Sequence, residues 1–266
     1  MVREPVVQGR FYPENPKKLG AVLDKMVPPC GTRVKAIGAL SPHAGYMCSG
    51  EVAGKVYARM EPSGTYIILG PSHTGYGAPF AISDEKWRTP LGLVDVDHGL
   101  IDLLVNNTDL FKIDPAGHTG EHSIEVQIPF IQRTAPGALI VPITVKWDGL
   151  RELAEVGRAV ALSIREAPRR VTIIASSDMT HYEPRDAAGR KDRQAIEKIL
   201  DMDAKGLFDK VHGSNISMCG YLPATVMLFA AQELDVQKSE LIEYTDSGDV
   251  TGDISDVVGY AGIVLY

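Results

Sequence analysis

The compact signatures that usually mark a metal or nucleotide site are missing from this chain. There is no CxxC pair, no HExxH, no EF-hand loop, no P-loop, no GxGxxG fingerprint and no GxSxG elbow. The common zinc-protease, calcium-binding, dinucleotide-binding and serine-hydrolase readings therefore have no support. Cysteine is scarce: three in 266 residues, an odd number that makes no disulfide framework. No apolar run reaches membrane-spanning length, and Met1-Val2-Arg3-Glu4-Pro5 does not open a signal peptide. A cytoplasmic protein with reduced cysteines is expected. Positive charge is also short. A net charge of −7 argues against a nucleic-acid backbone as the main partner, which would need a basic surface.

What is present is an ordinary globular composition, 44% apolar and 23% charged, in a length that one α/β domain can hold. The organising stretch is Thr65–Tyr76. Tyr66-Ile67-Ile68-Leu69 reads as a buried strand, Gly70-Pro71 ends it, and Ser72-His73-Thr74 follows. The pattern recurs. Ala36–Leu40 runs into Ser41-Pro42-His43-Ala44-Gly45-Tyr46, and Val171–Ala175 runs into Ser176-Ser177-Asp178-Met179-Thr180-His181. Singly, each is what a loop histidine looks like. Three at equivalent strand ends imply one shared site, because open α/β sheets bind ligands beyond the carboxyl ends of their strands.

The remainder alternates in the same way. Residues 1–14 read as an extended arm packed through Phe11 and Tyr12, and Asn15-Pro16 as the start of a helix. A second helix is expected from Ser49 or Gly50, a hairpin excursion over residues 77–97, and a helix capped by Asp97. Residues 109–120 read as a loop. The spacing of Ile124, Ile128 and Ile131 predicts a helix that carries His122 in its first turn and is perturbed by Pro129. Further strands are expected at 139–145, 240–245 and 257–266, and further helices at 150–165, 185–200, 202–211 and 224–234, with a loop over 246–255. The alternation predicts a single α/β domain spanning residues 1–266. Its central sheet would be mixed and mostly parallel, with helices on both faces.

His43, His73, His122, His181 and Cys219 all fall at element ends, with Glu121, Glu125 and Asp178 nearby in sequence. Imidazole nitrogen and thiolate sulfur are good ligands for iron, zinc and copper. Cys219, just before a helix, gains from a partial positive charge that favours thiolate. Cys48 competes with it if a helix begins just after that residue, whereas Cys30 reads as a small apolar filler.

The segments RFYP (Arg10–Pro13), SPHAGY (Ser41–Tyr46), LGPSHTGYG (Leu69–Gly77), EHSIEVQIPF (Glu121–Phe130), SSDMTH (Ser176–His181) and SMCGYLPA (Ser217–Ala224) together resemble the Memo family, also described as protein B of the AmmeMemoRadiSam system. That family is similar in fold to the class III extradiol (LigB-like) dioxygenases, which hold Fe(II) by two loop histidines and a glutamate. The resemblance maps the two ligand histidines onto His43 and His73, and puts Cys219 where the dioxygenases have the glutamate. It makes His181 the acid/base histidine. His122, behind Glu121, corresponds to the histidine of the dioxygenases' DHG segment.

The resemblance implies a non-haem iron oxidoreductase acting on a small molecule. Fe(II) is the expected ion, with copper or zinc as alternatives that a thiolate ligand would suit. His43, His73 and Cys219 would bind the metal. His181 would move protons, oriented by Asp178, and His122 would stabilise charge. The competing expectation is a binding or adaptor protein that uses the same pocket for a phosphopeptide or another anionic ligand. A radical-SAM pathway partner is implied as well; a nucleic acid or a membrane is not.

Overall fold

The three histidine-bearing strands foreseen from the sequence lie side by side at the centre of one sheet. The computed structural model describes residues 1–266. In chain order its elements are β1 (Val2–Arg3), α1 (Pro16–Met26), β2 (Gly38–Ser41), α2 (Tyr46–Arg59), β3 (Thr65–Pro71), β4 (Phe80–Ile82), β5 (Lys86–Thr89), β6 (Gly92–Val94), α3 (His98–Asn107) and β7 (Phe111–Ile113). Two 3-10 turns, Pro115–His118 and Glu125–Gln127, precede α4 (Ile128–Thr134). The chain then forms β8 (Leu139–Val145), α5 (Leu150–Glu166), β9 (Val171–Ser176), β10 (His181–Glu183), α6 (Arg185–Leu200), α7 (Ala204–Gly213), α8 (Tyr221–Glu233), β11 (Ser239–Asp246), α9 (Gly248–Thr251) and β12 (Val257–Leu265).

The main sheet runs β10-β12-β2-β9-β3-β8-β4-β7, with β11 also on β12. Its core, β2-β9-β3-β8, is parallel. β12 and β4 flank this core antiparallel to it. Every residue of β2, β3 and β9 is buried, which is why these segments read as unbroken apolar runs. Because the three strands are parallel neighbours, their carboxyl ends open onto one edge, and His43, His73 and Asp178–His181 are delivered there. β1, β5 and β6 form a small separate sheet. One cluster of 65 buried apolar residues joins the sheet to its covering helices, so this is a single-domain α/β fold. No helix is long and apolar enough to cross a membrane.

Several local expectations are corrected. α2 begins at Tyr46 and not at Ser49 or Gly50. The Tyr46 N–H donates to Phe11 O at 2.8 Å and its hydroxyl to Val126 O at 2.7 Å, so tertiary contacts start the helix early. Cys48 consequently lies inside the first turn. Residues 109–120 are not a plain loop: buried Phe111 pins β7 to β4, and Asp114 caps the 3-10 turn through Ala116 N. Pro129 does not perturb a helix interior. It occupies the first turn of α4, where its missing N–H costs nothing, and His122 precedes the helical residues altogether. Residues 246–255 carry the short helix α9.

Candidate metal site at the strand ends

His43 leaves the end of β2 and is only 2% exposed. Its N–H donates to Asp178 Oδ1 at 2.8 Å, and its Nδ1 lies 3.0 Å from Ser176 Oγ. Ser176 Oγ gives its own proton to Ser123 O at 2.7 Å and receives a bond from Gln127 Nε2 at 2.9 Å. Having spent its proton, the hydroxyl must accept from His43, which fixes the Nδ1–H tautomer and leaves Nε2 with the free lone pair. Burial, reinforced by the neighbouring His73, pushes the His43 pKa down to about 3, so the ring is neutral at ordinary pH.

His73, beyond β3, is positioned the same way by a carboxylate. Its Nδ1 donates to Glu121 Oε1 at 2.9 Å, and its backbone N–H donates to Glu121 Oε2 at 2.6 Å. Glu121 is fully buried and also accepts from the N–H groups of His122 and Ser123, both at 2.8 Å. Burial works to raise the Glu121 pKa, but the bonds from His73 and the backbone outweigh it and hold the carboxyl well below the usual range. Burial likewise opposes charge on His73, yet Glu121 wins there too and raises its pKa.

The third imidazole is His122. Its ring stacks on His73 at 4.7 Å and stands edge-on to His43 at 5.5 Å, with Phe11 of the N-terminal arm 4.9 Å away on another side. Burial, then His43, lowers its pKa to about 4. One ligand atom each from His43, His73 and His122 forms a group whose members all lie within 4.8 Å of one another. The cluster is suited to a metal by its chemistry. Its members are neutral imidazoles at ordinary pH or carboxylate-backed ones, and in His43 and His73 Nδ1 is engaged so that the available lone pair is on Nε2.

Cys219 reaches this cluster through His43, with Sγ 3.2 Å from Nε2. It also accepts from Asp178 N at 3.3 Å. It lies just ahead of α8, as its place before a helix suggested, but the expected lowering of the thiol pKa is not found. Burial, with the Asp178 carboxylate adding to it, pushes the pKa well up, so without a cation the group is a thiol. Asp178 is itself buried and its pKa is raised by desolvation. It accepts from His43 N and from Ala44 N at 3.3 Å, holding the first histidine loop.

His181 is half-buried at the start of β10. Its Nδ1 bonds Ser217 O at 2.9 Å and its N–H donates to Ser217 Oγ at 2.8 Å. The ring is thus oriented by Ser217, and the expected orientation by Asp178 is corrected. Of the remaining cysteines, Cys48 sits within α2 and Cys30 bonds Thr32 O at 3.1 Å. His118 is a core histidine, bonded through Nε2 to Ala81 O at 3.0 Å and edge-on to Trp87.

Sequence reasoning missed Ser176 and Gln127, which set the His43 tautomer, and it passed over the work of Glu125. That carboxylate is fully buried behind the cluster. It binds the Arg3 guanidinium, Val6 N at 2.8 Å, Val7 N at 3.0 Å and Tyr12 Oη at 2.6 Å, which straps the arm to the His122 segment. The available signal was a Glu and a Gln among apolar residues in EHSIEVQIPF.

Comparison with known proteins identifies the family. A family model described as Memo-like protein matches residues 3–264. A MEMO1 family protein of Methanosarcina acetivorans is 44% identical, covering 99% of both chains. The MEMO1 family protein of Methanocaldococcus jannaschii is 40% identical over 99% of both, as is that of Archaeoglobus fulgidus. Among solved structures, the uncharacterized Escherichia coli K12 protein JW3007 shares the fold, with a TM-score of 0.52 at 10% identity over 85% of this chain and 98% of that one. With near-complete coverage by the family model and by these relatives, the chain belongs to the Memo family.

Proposed function

We propose that the chain is a metal-dependent oxidoreductase of small molecules, with Fe(II) as its ion, held by His43, His73 and Cys219. The observation that carries the reading is the pair of imidazoles whose Nδ1 atoms are locked, by Ser176 and Glu121, so that the available lone pair is on Nε2 in both, that of His43 lying 3.2 Å from Cys219 Sγ. A ligating nitrogen points its lone pair in the ring plane. The planes of His43 and His73 cross at 78°, so one ion can lie in both. Those of His73 and His122 are stacked 20° from parallel, which disfavours a shared ion unless a ring turns. This supports Cys219 over His122 as the third ligand. An N···S separation of 3.2 Å is also what one ion spans, with nitrogen at about 2.0–2.1 Å and sulfur at about 2.3 Å.

A bound Fe(II) supplies Lewis acidity and one-electron chemistry at open positions. The chain's own residues do the rest. Cys219 loses its proton on ligation, so binding is tighter at higher pH. His181, with Nδ1 turned to Ser217 O, keeps Nε2 free to take or give a proton. His122 presents a ring with a lowered pKa beside His43 and His73, able to donate one hydrogen bond to bound substrate. The test is anaerobic purification followed by elemental analysis and oxygen uptake with catechol. Bound iron with catechol-dependent uptake supports the reading. A metal-free protein that binds a phosphorylated peptide in this pocket overturns it in favour of an adaptor.

A further inference from the structure

Four non-glycine residues have positive φ: Tyr182, Met202, Asn215 and Asp235. Three have an ordinary cause. Met202, Asn215 and Asp235 lie just past the ends of α6, α7 and α8, where a left-handed residue closes the helix. Tyr182, at φ 57°, ends no helix. It occupies a bulge in β10: His181 pairs with Val258 and Glu183 with Val257, so Tyr182 is the extra residue. A bulky side chain rarely adopts this conformation, and glycine would do so without strain. Burial does not compensate, since Tyr182 is 75% exposed. Instead the bulge stands its ring beside His181, with centroids 5.7 Å apart and planes at 65°. His181 in turn is bonded through its N–H and Nδ1 to Ser217, two residues before Cys219.

We infer that Tyr182 is a ligand-contacting residue of the strand-end site. It offers an aromatic face to the apolar part of a molecule whose polar head is held at the histidine cluster. The fold gains little from tyrosine at an exposed, left-handed bulge, so its use lies in what the ring touches when the site is filled. Strained backbone of this kind concentrates at binding and catalytic sites. The inference rests on the metal reading above, and its test separates the two.

The probes are acetohydroxamate and benzohydroxamate, two chelating heads that differ by a phenyl group, titrated into the zinc-loaded full chain. Wild type is expected to bind benzohydroxamate the more tightly, by about three- to tenfold, the worth of one aromatic pair. Tyr182→Ala and Tyr182→Gly should erase that preference and leave acetohydroxamate affinity unchanged, while Tyr182→Phe retains it. In the metal-free protein, Tyr182→Gly should leave the unfolding midpoint unchanged or raise it by about 2–4 °C, as relief of strain in a chain of this size would. Equal binding of both hydroxamates by wild type, an unchanged preference in Tyr182→Ala, or a lowered midpoint in Tyr182→Gly each overturns the inference. Failure of the zinc-loaded wild type to bind either hydroxamate overturns the inference alone, whereas failure of wild type to bind both zinc and Fe(II) overturns the metal reading and the inference with it.

Discussion

His43 and Cys219, 176 residues apart in the chain, meet with Nε2 and Sγ separated by 3.2 Å. The contact joins the loop after β2 to the turn before α8. A thiol here would donate to the neutral His43 ring, whereas a thiolate beside Asp178 requires a cation to balance it. Cys219→Ala should therefore weaken metal binding by more than tenfold, and His122→Ala should leave stoichiometry unchanged. Competition against a chromophoric chelator measures both. The reverse order would make His122 the third ligand.

His181 should behave as a proton carrier. Its backbone and Nδ1 are tied to Ser217, outside the three-imidazole group. His181→Ala is expected to keep its metal and lose about 10²–10⁴-fold in turnover. Metal content and rate must be read on the same preparation. Loss of metal to the extent seen in His73→Ala would make His181 a ligand.

Acid should destabilise the metal-free protein well above the carboxylate range. His43 is lowered to about 3, and His118 and His122 to about 4, chiefly by burial. Between the ordinary histidine value near 6.5 and those folded-state values, the unfolded chain binds protons that the folded chain refuses. Stability then falls with pH by about 1.4 kcal/mol per unit for each such histidine. His73 is shifted the other way, so its contribution changes only above the ordinary histidine value, where stability is lost as pH rises, and it does not offset the loss below that value. Glu121 contributes above the ordinary carboxylate range and withdraws only below it. Urea unfolding of chelator-treated protein should show a clear loss from pH 7 to pH 5; equal stability at the two would contradict these assignments.

Glu125→Ala should cost about 3–5 kcal/mol, because it leaves the buried Arg3 guanidinium without its carboxylate. The same change frees Val6 N, Val7 N and Tyr12 Oη from their common acceptor. Denaturant unfolding gives the number. A cost under 1 kcal/mol would mean that the arm is not fastened through this residue.

Much of this arrangement was legible in the sequence because it is local. β2, β3 and β9 are buried on both faces, so they read as apolar runs, and the small residues and prolines that end them mark out the histidines that follow in the sequence. Asn15 and Asp97 cap α1 and α3 by bonding within three residues. What was missed depends on contacts between distant segments. The early start of α2 is set by Phe11 and Val126, the His43 tautomer by Ser176, and the arm's anchorage by an Arg3–Glu125 pair 122 residues apart. Cys219 was placed correctly before its helix, but burial and Asp178 decide its protonation, and neither shows in local sequence.

If His43 and His73 hold one ion together, equilibrium dialysis of anaerobically purified protein against Fe(II) will show it, for wild type, His43→Ala and His73→Ala. One iron per chain is expected in wild type, with a loss of tight binding in both variants, each still folded by circular dichroism. Undiminished iron in either variant, or none in wild type, would contradict it.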